Sequence, residues 1–413
     1  MTNTYEVNNI TREANVITIN RCDHPKCVSD FLIAVKDATA KGFKEIVIRS
    51  KADAIYPNSC VPITGIIQHY QESGIEFSFD IDHLSYLHKC SFGSPIQNDR
   101  EALKSEVLPF DKIFSYETSG QVADLTQLFI DCISHQCICE EGVLSGLTWC
   151  INEVMDNVLL HSEYGHGLIM AQYHPSAKHV AFCIYDCGIG IFNTLKASSH
   201  RPRTELDALS MAIQEGVGDG KGQGNGLFGL YQITKENKGR LTISSGASSI
   251  MLFSNGELRK FEHIPFVSYK NKGTIIDFQI NLNKTVDIKN IFKSIGGFDG
   301  FDIRIDEMID ESDCIVYDIF KNGQGTATRE AGEYIRNDIE NIIKRSQSGL
   351  ILDFSNVKTV SSSFIDELIA KLFLDLSFLM FNNLIRIKGM NSEIQFLCER
   401  SLYMRIHDTW KAT

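Results

Sequence analysis

The alternation of apolar and polar positions divides the chain into three stretches. Residues 1–90 switch repeatedly between a period of two and a helical period. Val16-Ile17-Thr18-Ile19 and Glu45-Ile46-Val47-Ile48 predict strands. Asp30 to Ala40, with Phe31, Ile33, Ala34 and Val35 apolar, predicts a helix, as does Ile63 to Ser73, and Ile75 to Ile81 is extended again. Residues 300–410 repeat that plan: strand Ile315-Val316-Tyr317-Asp318, helix Thr328 to Arg345, strand Gly349 to Asp353, helix Phe364 to Leu376, strand Leu384 to Ile387. The tightest correspondence is strand, turn, serine, helix, strand. Ile46 to Ser50 leads through Pro57-Asn58-Ser59 into one helix, and Leu350 to Phe354 through Ser361-Ser362-Ser363 into the other. This predicts two copies of one small α/β module, one on either side of a central domain.

The central domain occupies residues 119–285, after a stretch at 91–118 that reads as a linker. Helices are predicted at about 120–136 and 141–162, then strands at 167–174 and 179–186. A lid-like stretch at about 191–225 follows, with a helix near 203–215. The domain closes with a helix over Leu227 to Lys235 and strands at Leu241 to Ser244, Ile250 to Phe253, Arg259 to Phe261 and Thr274 to Ile280. Asn255-Gly256 signals a hairpin turn. The fold class expected is therefore α+β and multidomain, since 413 residues exceed one ordinary core.

Net charge is −12, which argues against broad nucleic-acid binding. The apolar stretch 364–387 is interrupted by Asp366, Glu367, Lys371 and Asp375 and reads as buried helix and strand, not as a membrane span. The first residues carry no signal-peptide pattern, so a cytoplasmic location is expected. Twelve scattered cysteines, none in a CxxC pair, fit reduced thiols in such a compartment. Cys132, His135, Cys137 and Cys139 resemble metal-ligand spacing, but they fall in or just after an apolar-periodic helix without an obvious second half-site. Buried helix-face cysteines are the expected reading there.

Three short motifs carry the chemistry. Glu153 and Asn157 lie four apart on a helix and share a face. A carboxylate there can take a proton from water or a hydroxyl, and an amide oxygen one turn away suits magnesium. Asp186 ends a strand before Gly188 and Gly190, where the backbone can approach a planar base and the carboxylate can accept from an amino group. Glycines alternate from Gly216 to Gly226, including Gly222 and Gly224, and lead into a helix at Leu227. Backbone N–H groups at a helix start make an anion site. No Gly-Lys-Ser/Thr follows, so this is not a Walker loop, and no strand feeds it as a dinucleotide fingerprint requires.

In this order the motifs resemble the GHKL ATPase superfamily, which includes gyrase, the heat-shock-90 chaperones, MutL and the ATP domains of histidine kinases. The resemblance spans about residues 120–283 and implies a central α/β sandwich, the Bergerat fold, that binds ATP and Mg2+. It assigns Glu153 as catalytic base and Asn157 as metal ligand. Asp186, Gly188 and Gly190 become the adenine turn, Gly222, Gly224, Gly226 and Leu227 the end of the lid, and Thr274, after Gly273, a neighbour of the adenine contact. His161 and Gly239 also fall at family positions. A glutamate at position 153 is similar to gyrase-type ATPases and anti-sigma serine kinases. Nothing in the chain resembles the dimerisation helix of a sensor kinase.

Leu352 to Leu368 resembles a STAS-like domain, the family of anti-sigma-factor antagonists. The resemblance makes Ser362 or Ser363 a possible phosphoacceptor, although Phe364 stands where antagonists carry glycine. Helix capping by these serines is the simpler expectation. Three readings stay open: an ATP-hydrolysing switch whose lid controls the STAS-like modules, a protein partner or a second copy of the chain; a protein serine kinase; and a scaffold that retains ATP.

Overall fold

The computed structural model describes residues 8–97, 109–162, 165–218, 225–263, 273–293, 303–346 and 348–412. The chain forms two compact units. One comprises Met1–Phe129 and Gly146–Gly297, the other Ile130–Ser145 and Phe298–Thr413.

The first unit opens with strands β1 (Ile10–Glu13) and β2 (Val16–Ile19), helix α1 (Lys26–Ala40), β3 (Glu45–Ser50), α2 (Pro57–Glu72) and β4 (Glu76–Asp80). These strands make a sheet in the order β1-β2-β3-β4, antiparallel only between β1 and β2. Helix α2 begins at Pro57, where the missing N–H costs nothing. It starts six residues before the predicted Ile63, because Pro57-Asn58-Ser59 reads as a turn although Pro57 and Ser59 are buried.

An eight-stranded sheet follows. Its strands are β5 (Ile96–Gln97), β6 (Ile113–Tyr116), β7 (Gly167–His174), β8 (His179–Asp186), β9 (Arg240–Ser245), β10 (Ser248–Leu252), β11 (Leu258–Phe261) and β12 (Thr274–Asn281). The order is β11-β10-β9-β12-β8-β7-β6-β5. Strands β5 and β6 lie inside the stretch read as a linker. Ile113, Phe114, Ser115 and Tyr116 are all buried and pair with Gly167 to Met170. A fully buried strand of four residues has no alternation to reveal it.

Both faces of this sheet are covered, and the period of two sorts its side chains. Phe182 and Phe278 stack against each other on one face, where Phe129 of helix α3 (Ser119–Gln136) meets Phe182 edge-on. On the opposite face, Leu168, Met170, Cys183, Tyr185 and Ile275 join one continuous core with Ile48, Cys60, Ile63 and Ile67 of the N-terminal segment. Helix α2 is therefore buried between two sheets. Its run from Ser59 to Ile67 is buried all round, as a helix with no solvent face must be. Gly65 is the point of closest approach: a Cβ there would lie 2.1 Å from the Tyr185 ring. The N-terminal segment, expected as a separate module, thus shares its core with the central sheet.

Longer helices of this unit are α4 (Val143–His161), α5 (Gly190–Lys196), α6 (Glu205–Ala212) and α7 (Gly226–Glu236), beside single turns at Tyr86–Lys89 and Ile288–Ile291. The Asn255-Gly256 turn joins β10 and β11, with Gly256 at φ +84°.

In the second unit β13 (Ile315–Asp318), β14 (Leu350–Asp353) and β15 (Ile385–Lys388) form a parallel sheet in sequential order. Helix α8 (Arg329–Ser346) makes the first crossover. The second is α9 (Ser362–Ile365), a π turn at Asp366–Ala370 and α10 (Lys371–Leu384), and α11 (Ser392–Ala412) ends the chain. Strand, helix, strand, helix, strand with sequential parallel pairing is also the plan of β2 to β4. The π turn carries Glu367, which is 1% exposed and met by Arg329, Arg336 and Lys371 at 2.8, 3.2 and 2.6 Å.

Residues 130–145 belong to this unit. Ser134 Oγ and Tyr317 OH donate to the buried Asp338 carboxylate at 2.7 and 2.8 Å. His135 places Nδ1 2.7 Å from the Asp131 carbonyl. Its Nε2 lies 3.0 Å from Asp338, an ion-pair distance off the line of a hydrogen bond. Both ring nitrogens therefore face protein oxygens, and the ring stacks on Tyr334. No helix among the described residues is long and apolar enough to cross a membrane.

Candidate functional site

Helix α4 buries Leu147, Cys150, Ile151, Val154, Met155 and Val158. That leaves Glu153, Asp156 and Asn157 on its other, part-exposed face, at the i, i+3 and i+4 positions that meet on a helix. Thr126 Oγ1 donates to Asn152 at 3.0 Å, tying this helix to α3. Burial pushes the Glu153 carboxyl up from its ordinary range, and the neighbouring Asp156 adds to it. Asp156 is itself raised by burial.

The start of α7 closes on this face. A Cβ at Gly226 would lie 2.8 Å from Glu153 Oε2 and 2.8 Å from Asn157 Nδ2. A glycine lets the first helical residue sit against both side chains without displacing them. One turn further, Gly229 makes room for Trp149, whose ring would be 2.1 Å from a Cβ. Asn225 Oδ1 accepts from the Gly216 N–H at 3.0 Å, pinning the helix start to the residues that follow α6.

Asp186 ends β8 opposite Thr274 of β12, and Thr274 in turn pairs with Ser245 of β9. Its side chain shares the parity of Phe182, hence the face covered by α3. Asp186 is 7% exposed, and burial pushes its carboxyl up to about 6. The Gly188 N–H, donated to Oδ1 at 2.7 Å, and Thr274 oppose that rise. The turn is tightly fitted. A Cβ at Gly188 would meet the Ser162 backbone at 2.4 Å, and one at Gly273 the Asp186 carbonyl at 2.1 Å. Ser162 follows directly on α4, so the Asp186 turn touches the end of the helix that bears Glu153 and Asn157. Gly190, at φ +77°, then starts α5.

The structure thus brings Glu153, Asn157 and Gly226 together, and Asp186, Gly188 and Thr274 together. Leu227 packs with Leu195, Ala208 and Ala212 in a small apolar cluster of α5 and α6. Gly222, Gly224 and Lys221 lie outside the described residues. Among the described cations of the stretch 191–225, Lys196 sits 5.4 Å over the Phe192 ring, and Arg201 and Arg203 are exposed.

Sequence reasoning missed Ser245. Its Oγ accepts from the Ile191 N–H at 3.0 Å and lies 3.4 Å from Thr274 Oγ1, linking the sheet to α5. A buried serine ending an apolar strand was the available signal. It also missed Asp277 on the face beneath α2, where Asn58 donates to it at 3.2 Å and burial pushes it up to about 6.

In the second unit Ser361, not Ser362 or Ser363, caps the helix. Its Oγ accepts from the Phe364 N–H at 3.0 Å and lies 3.0 Å from Ser363 Oγ. Ser362 is exposed at the first helical position.

A comparison with curated proteins finds no match. Residues 331–395, from α8 through β15 into α11, match the model of a family described as a STAS-like domain of unknown function (DUF4325), so the C-terminal part of the chain contains a STAS-like domain.

Proposed function

We propose that the α4–α7–β8 site binds Mg-ATP and hydrolyses it, and that the nucleotide state operates the STAS-like domain or a protein partner held by it. The central sheet with its helices is then a GHKL, or Bergerat, domain. The observation that carries this reading is the fit of Gly226 against Glu153 Oε2 and Asn157 Nδ2. It unites two of the three motifs at a helix N-terminus, the usual place for a phosphate. The third motif supports it: a buried carboxylate at the end of β8 keeps one oxygen on a backbone N–H and would accept a hydrogen bond from an adenine amino group.

The residues suit the ligand. Asp186 would orient the base, and Gly188 and Gly273 leave the backbone room around it. Asn157 would hold magnesium through its amide oxygen, and the N–H groups opening α7 would face the phosphates. Glu153, its carboxyl raised by burial, would take the proton of an attacking water. Magnesium, when bound, neutralises phosphate charge.

The test is ATP binding by calorimetry together with phosphate release. Glu153→Ala is expected to keep affinity and lose on the order of 10²-fold or more in rate, and Asp186→Asn to lose affinity. Hydrolysis that persists unchanged in Glu153→Ala overturns the base assignment, and no ATP binding by the intact chain overturns the site. A second reading, transfer to serine, is favoured by the exposed hydroxyl of Ser362, which capping by Ser361 leaves uncommitted. Phosphoserine on the chain after incubation with ATP, detected by mass spectrometry, would establish it.

A further inference from the structure

Helix α3 ends at Gln136, and Cys137-Ile138-Cys139 follow it. The two sulfur atoms are 3.9 Å apart and hydrogen-bonded to each other. The loop is held by Asn341 of α8, itself 1% exposed. Its Oδ1 accepts from the Cys139 N–H at 2.8 Å, while Nδ2 donates to the carbonyls of Ser134 and Cys137 at 2.9 and 2.8 Å. Lys344 Nζ donates to the Cys139 carbonyl at 3.0 Å. Cys137 is half-buried, and Cys139 is 2% exposed.

We propose that Cys137 and Cys139 form a dithiol that hydroperoxides oxidise to an intramolecular disulfide. Three observations carry this. First, the sulfurs need to close by only about 2 Å to reach the bonded distance of ~2.0 Å. Second, the pair divides the work by exposure: Cys137 is reachable from solvent, and Cys139 waits behind it. Third, Lys344 and Arg345 lie close enough to favour an anion at this loop. The hydrogen bond between the thiols, with burial, holds the Cys139 thiol up, and exposure makes Cys137 the sulfur that a peroxide reaches first. Cys22, Cys60 and Cys90 also neighbour one another, but they are fully buried and closed to a peroxide.

The chemistry balances in two steps. The Cys137 thiolate attacks a peroxide oxygen, the O–O bond breaks, and sulfenic acid forms with release of hydroxide or alkoxide. Cys139 then attacks the Cys137 sulfur, the S–O bond breaks, and water leaves as the disulfide forms. Two thiols lose two electrons, and the hydroperoxide gains them. The contraction acts on the loop that Asn341 ties to α8, within the residues matched to the STAS-like family.

The test treats the full chain with hydrogen peroxide, blocks remaining thiols during unfolding, and maps peptides by mass. The expected product is a Cys137–Cys139 peptide lighter by two hydrogens, reversed by dithiothreitol. It should form at least about tenfold faster than oxidation of Cys314, a half-buried thiol that contacts the Ser312 carbonyl. Cys139→Ser should accumulate a dimedone-trapped sulfenic acid at Cys137, and Cys137→Ser should protect Cys139. Equal oxidation of Cys137 and Cys314, or unchanged oxidation of Cys139 in Cys137→Ser, overturns the proposal.

Discussion

Gly226→Ala separates the chemistry of the proposed site from the stability of the fold. The added methyl would sit 2.8 Å from both Glu153 Oε2 and Asn157 Nδ2, whereas ordinary contact begins near 3.4 Å. The two side chains must therefore retreat by roughly half an ångström from where the fold holds them. Both obstructing atoms are the ends of rotatable side chains, so the clash is relieved by small rotations. The φ of Gly226 lies outside the left-handed region, so alanine fits the backbone. Alanine at such a position gains about 0.4–1 kcal/mol by restricting the unfolded chain. Net stability should stay within about 1 kcal/mol of the parent, a shift of a few degrees in Tm. Catalysis is less tolerant. A 1 Å misplacement costs on the order of 10²-fold, so half of that displacement should cost about tenfold in kcat. Phosphate release at saturating Mg-ATP and a thermal melt on the same samples read both quantities. A rate within twofold of the parent refutes the placement of Glu153 and Asn157 against the reacting water. A fall in Tm beyond about 10 °C shows instead that the contact is mainly structural.

Asp186 should make stability fall as pH rises. Its carboxyl is raised in the fold, from 3.8 to about 6, so the folded state prefers the protonated form. That contribution is present below pH ~4 and is lost as pH climbs toward ~6, by roughly 3 kcal/mol in all. Urea titrations should find Asp186→Asn more stable than the parent at pH 7.5, with the gap closing near pH 4; a constant gap contradicts the burial argument. Gly65→Ala should lower stability by about 1–3 kcal/mol, because its methyl lands on the buried Tyr185 ring and neither helix α2 nor strand β8 can move freely. An unchanged thermal midpoint would refute that packing. Glu367→Ala strands the buried Arg336 among its remaining partners and should cost about 3–5 kcal/mol in denaturant unfolding. A cost below about 1 kcal/mol would mean that the cations around Glu367 find water instead.

Legibility followed the range of the interactions. Strands 167–174 and 179–186 are predicted with the bounds they have, because their apolar runs and the Pro175-Ser176 break between them are local signals. The first helix was placed at Asp30 but begins at Lys26, since its opening turn mixes Lys26 with the buried Cys27 and Val28. Glu153 and Asn157 could be read as one helical face, but their meeting with Gly226 depends on a contact across most of the central segment. The pairing of Asp186 with Thr274 and Ser245 is a matter of sheet order, to which local pattern is blind. The π turn was also hidden. Its Glu367 meets Arg329 and Arg336, contacts distant in sequence that no propensity of Asp366 to Ala370 signals.

The burial of α2 changes how the proposed nucleotide site can be studied. Cys187, next to Asp186, donates through Sγ to the Gly65 carbonyl of α2 at 3.6 Å. Strand β8 thus has the candidate adenine carboxylate at its end and the N-terminal segment against its back. Deleting that segment would expose Leu168, Met170, Cys183, Tyr185 and Ile275 together, a contiguous apolar face. A patch of that kind promotes association of the truncated protein. It would also remove the partner of Asp277, leaving an acid on the bared face to ionise and draw in water. Loss of ATP binding in such a truncation would therefore say nothing about a direct role of the N-terminal segment in the site. Point substitutions along the α2 contact, Gly65→Ala and Asn58→Ala, perturb the same strand while the core stays covered. Any change they make in nucleotide affinity relative to Asp186→Asn measures how far the packing behind β8 sets the position of the turn in front of it.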